Sequence, residues 1–157
     1  MLNAAPMHDI GKVGTPDHIL LKPGRLNPEE MVVMRQHAEI GYNILKDCQA
    51  RMLKLAAEIA LTHHERYDGQ GYPRGLAGEA IPLVGRIVAV ADVFDALTSV
   101  RPYKLAWSME DARQHLLDNC NTHFDPRCVE ALLQRWDDVQ AIRARFRDEP
   151  GAAALTA

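Results

Sequence analysis

An all-α domain is the architecture this sequence predicts, on three observations. Apolar residues recur at helical spacing from Arg51 to Thr62, with Leu53, Ala56, Ala57, Ala60 and Leu61 on one face. A longer run, Leu83 to Thr98, is apolar on nearly all sides and reads as a central helix. Helix starts are marked by cap residues, and no convincing pair of strands accompanies them.

In chain order, Met1 to Asp9 has the composition of a helix tail, ended by Gly11, Gly14 and Pro16. Asp17 to Leu21 makes a short helical turn, and Lys22-Pro23-Gly24-Arg25 is a loop. Asn27-Pro28-Glu29-Glu30 combines an N-cap residue, proline at the first helical position and acids in the first turn. That helix runs through Met31, Met34 and His37, and an apolar face resumes at Ile40, Ile44 and Leu45 after a bend. Tyr67 to Pro82 carries four glycines and two prolines and forms no regular element. Arg86 to Val90 could be a parallel strand, but the run is too long and too alanine-rich for that reading. Ser108 caps a helix to about Asn119, Asp125-Pro126 caps another to about Arg135, and Asp137 to Arg147 forms a charged last helix. Residues 1–148 are expected to form one domain and 149–157 a disordered tail. Trp107 is expected to anchor the core and Phe124 to act as a hydrophobic staple.

Composition narrows the function. The 157 residues are 47% apolar and 25% charged, enough for one domain with its own core. A net charge of −3 gives no global field for a nucleic-acid polymer, though a few local cations could hold a small phosphate ligand. Apolar runs are far short of a membrane span, and the first residues do not form a signal peptide. Cys48, Cys120 and Cys128 are an odd number at wide spacing and form neither a disulfide framework nor a zinc ribbon. A reducing, cytoplasmic compartment fits best.

The chemistry is concentrated around His63-His64-Glu65, where an apolar helix runs into Asp68-Gly69-Gln70-Gly71-Tyr72-Pro73. Paired imidazoles beside open backbone suggest a metal site, while a polar helix end with a surface loop is the plain alternative. Asp92 lies within Val90-Ala91-Asp92-Val93-Phe94, where an unpartnered carboxylate would be costly, so a cation or a metal must face it. His8-Asp9 ends one segment, and His37 lies on the inner half of its helix. Four histidines and two aspartates at inward positions suit iron, manganese or zinc. A carboxylate such as Asp9 can bridge two ions, and two ions roughly 3.5–4 Å apart can hold a hydroxide and clamp a phosphoryl group.

These motifs together resemble the HD-GYP phosphodiesterases, a branch of the HD superfamily of metal-dependent phosphohydrolases. The resemblance rests on His8-Asp9-Ile10-Gly11-Lys12, on His63-His64-Glu65 with Asp68-Gly69-Gln70-Gly71-Tyr72-Pro73, on Asp92-Val93-Phe94-Asp95-Ala96-Leu97-Thr98-Ser99, on Arg101-Pro102-Tyr103-Lys104 and on His123-Phe124-Asp125-Pro126. It implies an HD-like helical bundle with a glycine-rich GYP loop. It implies hydrolysis of cyclic di-GMP to pGpG, and onward to GMP, by attack of a metal-bound hydroxide. By the same resemblance His8, Asp9, His37, His63, His64 and Asp92 are metal ligands, with Asp9 bridging two divalent ions, iron or manganese. Asp9 and Lys12 would be the catalytic residues, Lys12 binding a phosphate oxygen, and Arg101 and Lys104 would hold substrate phosphates. The GYP loop would also meet GGDEF-domain partners.

Family members carry a helix before the HD pair with at least one more histidine, and many carry a receiver or sensor domain. Neither precedes His8 in this sequence, so the second ion is expected to be one histidine short. Two functions follow: a cyclic di-GMP phosphodiesterase, or a binding and regulatory module that keeps one ion and the GYP loop.

Overall fold

The computed structural model describes residues 1–100 and 105–146. Among these residues there are eight α-helices and no strand, the all-α architecture read from the sequence. The first two helices, α1 (Asp17–Leu20) and α2 (Pro28–Arg35), are joined by a loop that Lys22 ties to Glu30 at 2.6 Å. A reciprocal capping box starts α2. The Glu30 amide donates to Asn27 Oδ1 at 2.8 Å, and the Asn27 amide donates to Glu30 Oε2 at 2.9 Å. The helix expected to run through His37 instead ends at Arg35; the break falls at Gln36, and His37 opens the next helix, α3 (His37–Leu45). His37 itself is buried, on the inner face of α3 with Ala38, Gly41 and Leu45.

The next two helices, α4 (Arg51–Thr62) and α5 (Leu83–Thr98), have the bounds expected of them. They pack so closely that a Cβ on Gly85 would fall on the Thr62 side chain. Helix α5 reaches both halves of the core. Its Val88 joins Ala4, Leu45, Ala56, Ala57 and Ile59 in one cluster. Its Val90, Phe94 and Leu97 join Ala112, Leu116, Phe124 and Val129 in the other. The remaining helices are α6 (Met109–Asp118), α7 (Pro126–Leu133) and α8 (Trp136–Arg145). Ser108 caps α6 by accepting from the Asp111 amide, and Asp125 caps α7 by accepting from the Arg127 amide. Phe124 and Val129 share the second cluster across the start of α7, the arrangement of a hydrophobic staple. Asp125 also receives Arg86 of α5 in an ion pair of 2.5 Å, its own side chain fully shielded from solvent.

Three local expectations are corrected. Met1 to Asp9 is not the tail of an α-helix but a turn followed by a short 3-10 segment, Ala5–Met7. The segment closes with i to i+3 bonds, the His8 amide donating to the Ala5 carbonyl, and Asp9, with ψ near 7°, leaves helical geometry before the next short 3-10 segment. Trp107 is 39% exposed rather than a core anchor, because it precedes the cap of α6 and lies edge-on to His115 at the surface. Helix α5 is less enclosed than its composition suggests, since Leu83 and Ala91 face solvent. The expected tail, 149–157, lies outside the described residues.

Candidate metal centre

Residues far apart in sequence converge where the His8-Asp9 turn meets the starts and ends of buried helices. The turn can seat itself there because Gly11 has no side chain. A Cβ at that position would fall on the His37 carbonyl oxygen and the Gly41 amide nitrogen. His37 arrives from the first turn of α3, His63 and His64 from the end of α4, and Asp92 from the middle of α5.

Asp9, His37, His63 and His64 each offer one ligand atom, and these atoms all lie within 4.8 Å of one another. Oδ1 of Asp9 is 3.4 Å from Nε2 of His37 and 3.9 Å from Nε2 of His63. The other oxygen, Oδ2, faces a second group, with His8 Nε2 at 3.4 Å and Lys12 Nζ at 2.5 Å. His8 Nε2 also lies 3.5 Å from Oδ1 of Asp92. Thus His8, Asp9, His37, His63, His64 and Asp92 are all brought together, with Asp9 between the two groups. Lys12 lies at their edge. Arg101 and Lys104 lie outside the described residues.

The donor set fits metal ions. The Nδ1 atoms of His8, His37 and His63 lie 2.9, 2.7 and 3.0 Å from the carbonyl oxygens of Ala5, Met34 and Ala60. A ring that donates from Nδ1 to a carbonyl presents Nε2 as a lone-pair donor, the usual outer support of a ligating imidazole. Burial, followed by the neighbouring imidazoles, pushes His63 down to about 4 and His64 down to about 3. Both are therefore neutral at physiological pH, as ligation requires. His8 is drawn up to about 10 by side-chain hydrogen bonds to Asp9 and Asp92. Burial pushes the Asp9 and Asp92 carboxyls up, but their bonds to His8, and Lys12 beside Asp9, leave both below the usual carboxylate range. A cation at this point would take over the role that the His8 proton plays between the two carboxylates.

The glycine-rich loop closes against this centre. Tyr72 stacks on His64, with ring centroids 4.7 Å apart and planes 24° from parallel, and burial pushes its phenol pKa up. Its amide donates to the His64 carbonyl at 3.2 Å. Gly71 is needed at its position because a Cβ would fall on the Arg66 amide nitrogen. Gly69, Gly75 and Gly78 have positive φ, which glycine adopts without strain.

The sequence motifs assign Glu65 no role and do not single out Arg35, yet both support the centre. Glu65 is 2% exposed, and its two oxygens accept from the amides of Arg74 at 2.8 Å and Leu76 at 3.0 Å. It fastens the far side of the loop to the residue next to His64. A charged residue in a buried helix terminus was the available signal, but its partners are nine and eleven residues on. Arg35, from the last turn of α2, places its guanidinium 4.9 Å from the Tyr72 ring centroid. Nothing in the local sequence pairs it with residue 72.

The profile of the HD domain family matches residues 1–128. The chain is 57% identical over 143 residues to a cyclic di-GMP phosphodiesterase response regulator of Xanthomonas campestris, a match covering 91% of this chain and 38% of that protein. A cyclic di-GMP phosphodiesterase of Thermotoga maritima is 51% identical over 146 residues, covering 93% and 40% respectively. The 3'3'-cGAMP-specific phosphodiesterase 2 of Vibrio cholerae is 50% identical over 146 residues, covering 93% and 28%. The chain therefore spans less than half the length of each of these relatives. A crystal structure of a cyclic GMP-AMP specific phosphodiesterase of V. cholerae superposes with a TM-score of 0.61 at 20% identity, over 89% of this chain and 38% of the other. At that identity the likeness is one of fold. Among the described residues no helix is long and apolar enough to cross a membrane.

Proposed function

The chain belongs to the HD domain family, in its HD-GYP branch, and from that premise we propose that it carries the catalytic centre of a metal-dependent phosphodiesterase acting on cyclic dinucleotides, cyclic di-GMP foremost. The observation that carries this reading is the division of Asp9, whose Oδ1 faces His37 and His63 while Oδ2 faces His8. In this reading His37, His63, His64 and Asp9 would hold one divalent ion, and His8, Asp92 and Asp9 would hold a second. Iron or manganese suits such nitrogen and carboxylate donors. Bound ions supply Lewis-acid polarisation of the phosphodiester and a lowered pKa for water.

The protein's own groups orient and balance charge. The carbonyl-anchored Nδ1 atoms keep the Nε2 donors of His8, His37 and His63 turned inward. Lys12, 40% exposed at the edge of the centre, is the cation assigned to a phosphate oxygen, where it offsets charge that grows during in-line attack. Tyr72 covers one side of His64 and limits solvent there. The exposed rim of the loop, Asp68 and Gln70, is the surface assigned to a protein partner of the GGDEF type.

The test is metal content together with turnover. The chain loaded with Mn²⁺ or Fe²⁺ is expected to hydrolyse bis(p-nitrophenyl) phosphate and cyclic di-GMP, and to lose both activities with a chelator. Absence of metal binding to the purified chain would sink the proposal.

A further inference from the structure

Several lysines and arginines of this structure pair with carboxylates. Lys12 pairs with Asp9, Lys22 with Glu30, Arg66 with Asp68, and Arg86 with Asp125. Arg35 differs. Among the described residues no carboxylate pairs with it, and it is exposed at the mouth of the centre, two residues before His37. It is nonetheless not left to wander. Its guanidinium is held over the Tyr72 ring at 4.9 Å, and that ring in turn stacks on His64 at 4.7 Å. The order from solvent inward is Arg35, Tyr72, His64.

A guanidinium with one face on an aromatic ring keeps its N–H donors free at its edge, because those donors lie in its own plane. Such a fork matches a phosphate, to which it can offer two parallel hydrogen bonds. The ring support also limits the side-chain freedom lost on binding. A cyclic dinucleotide carries two phosphates on one small macrocycle. When one lies against the metal centre, the other must lie beside it, within reach of groups at the rim.

Resting on the function proposed above, we propose that Arg35 is a specificity-determining residue that binds the second phosphate of a cyclic dinucleotide, the phosphate not undergoing cleavage. It separates substrates with two phosphates from simple diesters with one. Tyr72 serves as the platform that aims it.

The test compares wild type with R35A and R35K in the whole chain, with metal content measured for each. Cyclic di-GMP binding is read by titration calorimetry, and kcat/KM is read for cyclic di-GMP and for bis(p-nitrophenyl) phosphate. R35A is expected to weaken cyclic di-GMP binding by about tenfold or more, the scale of a charge-assisted hydrogen bond. The ratio of kcat/KM for cyclic di-GMP to that for the one-phosphate diester is expected to fall to a similar extent. R35K, which keeps the charge but loses the planar fork, is expected to lie between. Binding by R35A within about twofold of wild type overturns the inference, and so does an equal loss for both substrates, which would mark a structural role. Metal-dependent turnover of the simple diester by the wild type upholds the underlying function whichever result Arg35 gives. If the wild type neither turns over that diester nor binds cyclic di-GMP, the underlying function falls and the inference with it.

Discussion

Nε2 of His37 lies 3.4 Å from Oδ1 of Asp9, the contact that joins the first turn of α3 to the turn carrying His8. The other oxygen of the same carboxylate lies 2.5 Å from Lys12. Asp9→Ala removes both relations at once. Metal-dependent turnover of bis(p-nitrophenyl) phosphate is expected to drop on the order of 100-fold or more, with reduced metal content by elemental analysis. Unchanged turnover in this variant would exclude a shared-carboxylate centre.

Metal binding is also a stability statement. An ion that binds only the folded chain adds about 2.7 kcal/mol when present at about 100 times its Kd. Chelation is therefore expected to lower Tm and Mn²⁺ to restore it. His64→Ala removes one of the four clustered donors and is expected to shrink the Mn²⁺-induced shift. Thermal unfolding with and without chelator reads both effects.

The metal-free chain should respond to pH from two sides. His63, His64 and His123 are held down to about 4, 3 and 4, chiefly by burial, from an ordinary value of 6.5. Between those values the unfolded state binds more protons, so stability falls as pH is lowered from about 6.5 toward 4. His8 is raised to about 10 by Asp9 and Asp92. Its contribution is complete below about 6.5 and is lost as pH rises toward 10. A Tm maximum near neutral pH is expected for the chelated protein. Loss of the alkaline slope in His8→Ala would trace that limb to His8.

Glu65→Gln tests the loop fastening. Glutamine has one acceptor oxygen, so its NH₂ group must face one of the two loop amides that the carboxylate now satisfies. A buried amide left without an acceptor costs about 1–3 kcal/mol. A lower Tm is expected, and amide exchange should quicken at Arg74 or Leu76 ahead of the helices.

Gly71→Ala addresses the same loop from its other side. The added methyl falls on backbone at Arg66 rather than on a flexible side chain, so the loop must move. Destabilisation of about 1–3 kcal/mol is expected. The Tyr72–His64 stack should loosen with it, which tyrosine fluorescence or ring-current shifts would report.

Much of this architecture is local and so was legible in the sequence. Asn27 with Glu30, Ser108 and Asp125 act within one helical turn, and each caps the helix it announces. The bounds of α4 and α5 follow their apolar runs. The six residues of the motif resemblance lie together, although no periodicity would have joined His8 to Asp92. What escaped the sequence depends on contacts made by folding. Glu65 finds its partners across the loop, and Arg35 finds Tyr72 across a helix break. Trp107 looked like core because tryptophan is large and apolar, but its place before a helix cap leaves it at the surface. Asp92, expected to be buried, keeps 28% of its side chain exposed, because α5 turns that residue toward the cleft beside His8.

Helix α5 behaves as a shaft keyed at neighbouring points. Gly85 sits in the hollow beside Thr62, and the next residue, Arg86, is pinned to Asp125 at the head of α7. To swing Asp92 away from His8, the shaft would have to rotate, driving backbone into Thr62 and breaking an ion pair shielded from water. The angular setting of one candidate ligand is thus fixed by parts that touch no ligand at all. Wear at either key, as in Arg86→Ala, should be felt as misalignment at Asp92, nearly two turns along the helix.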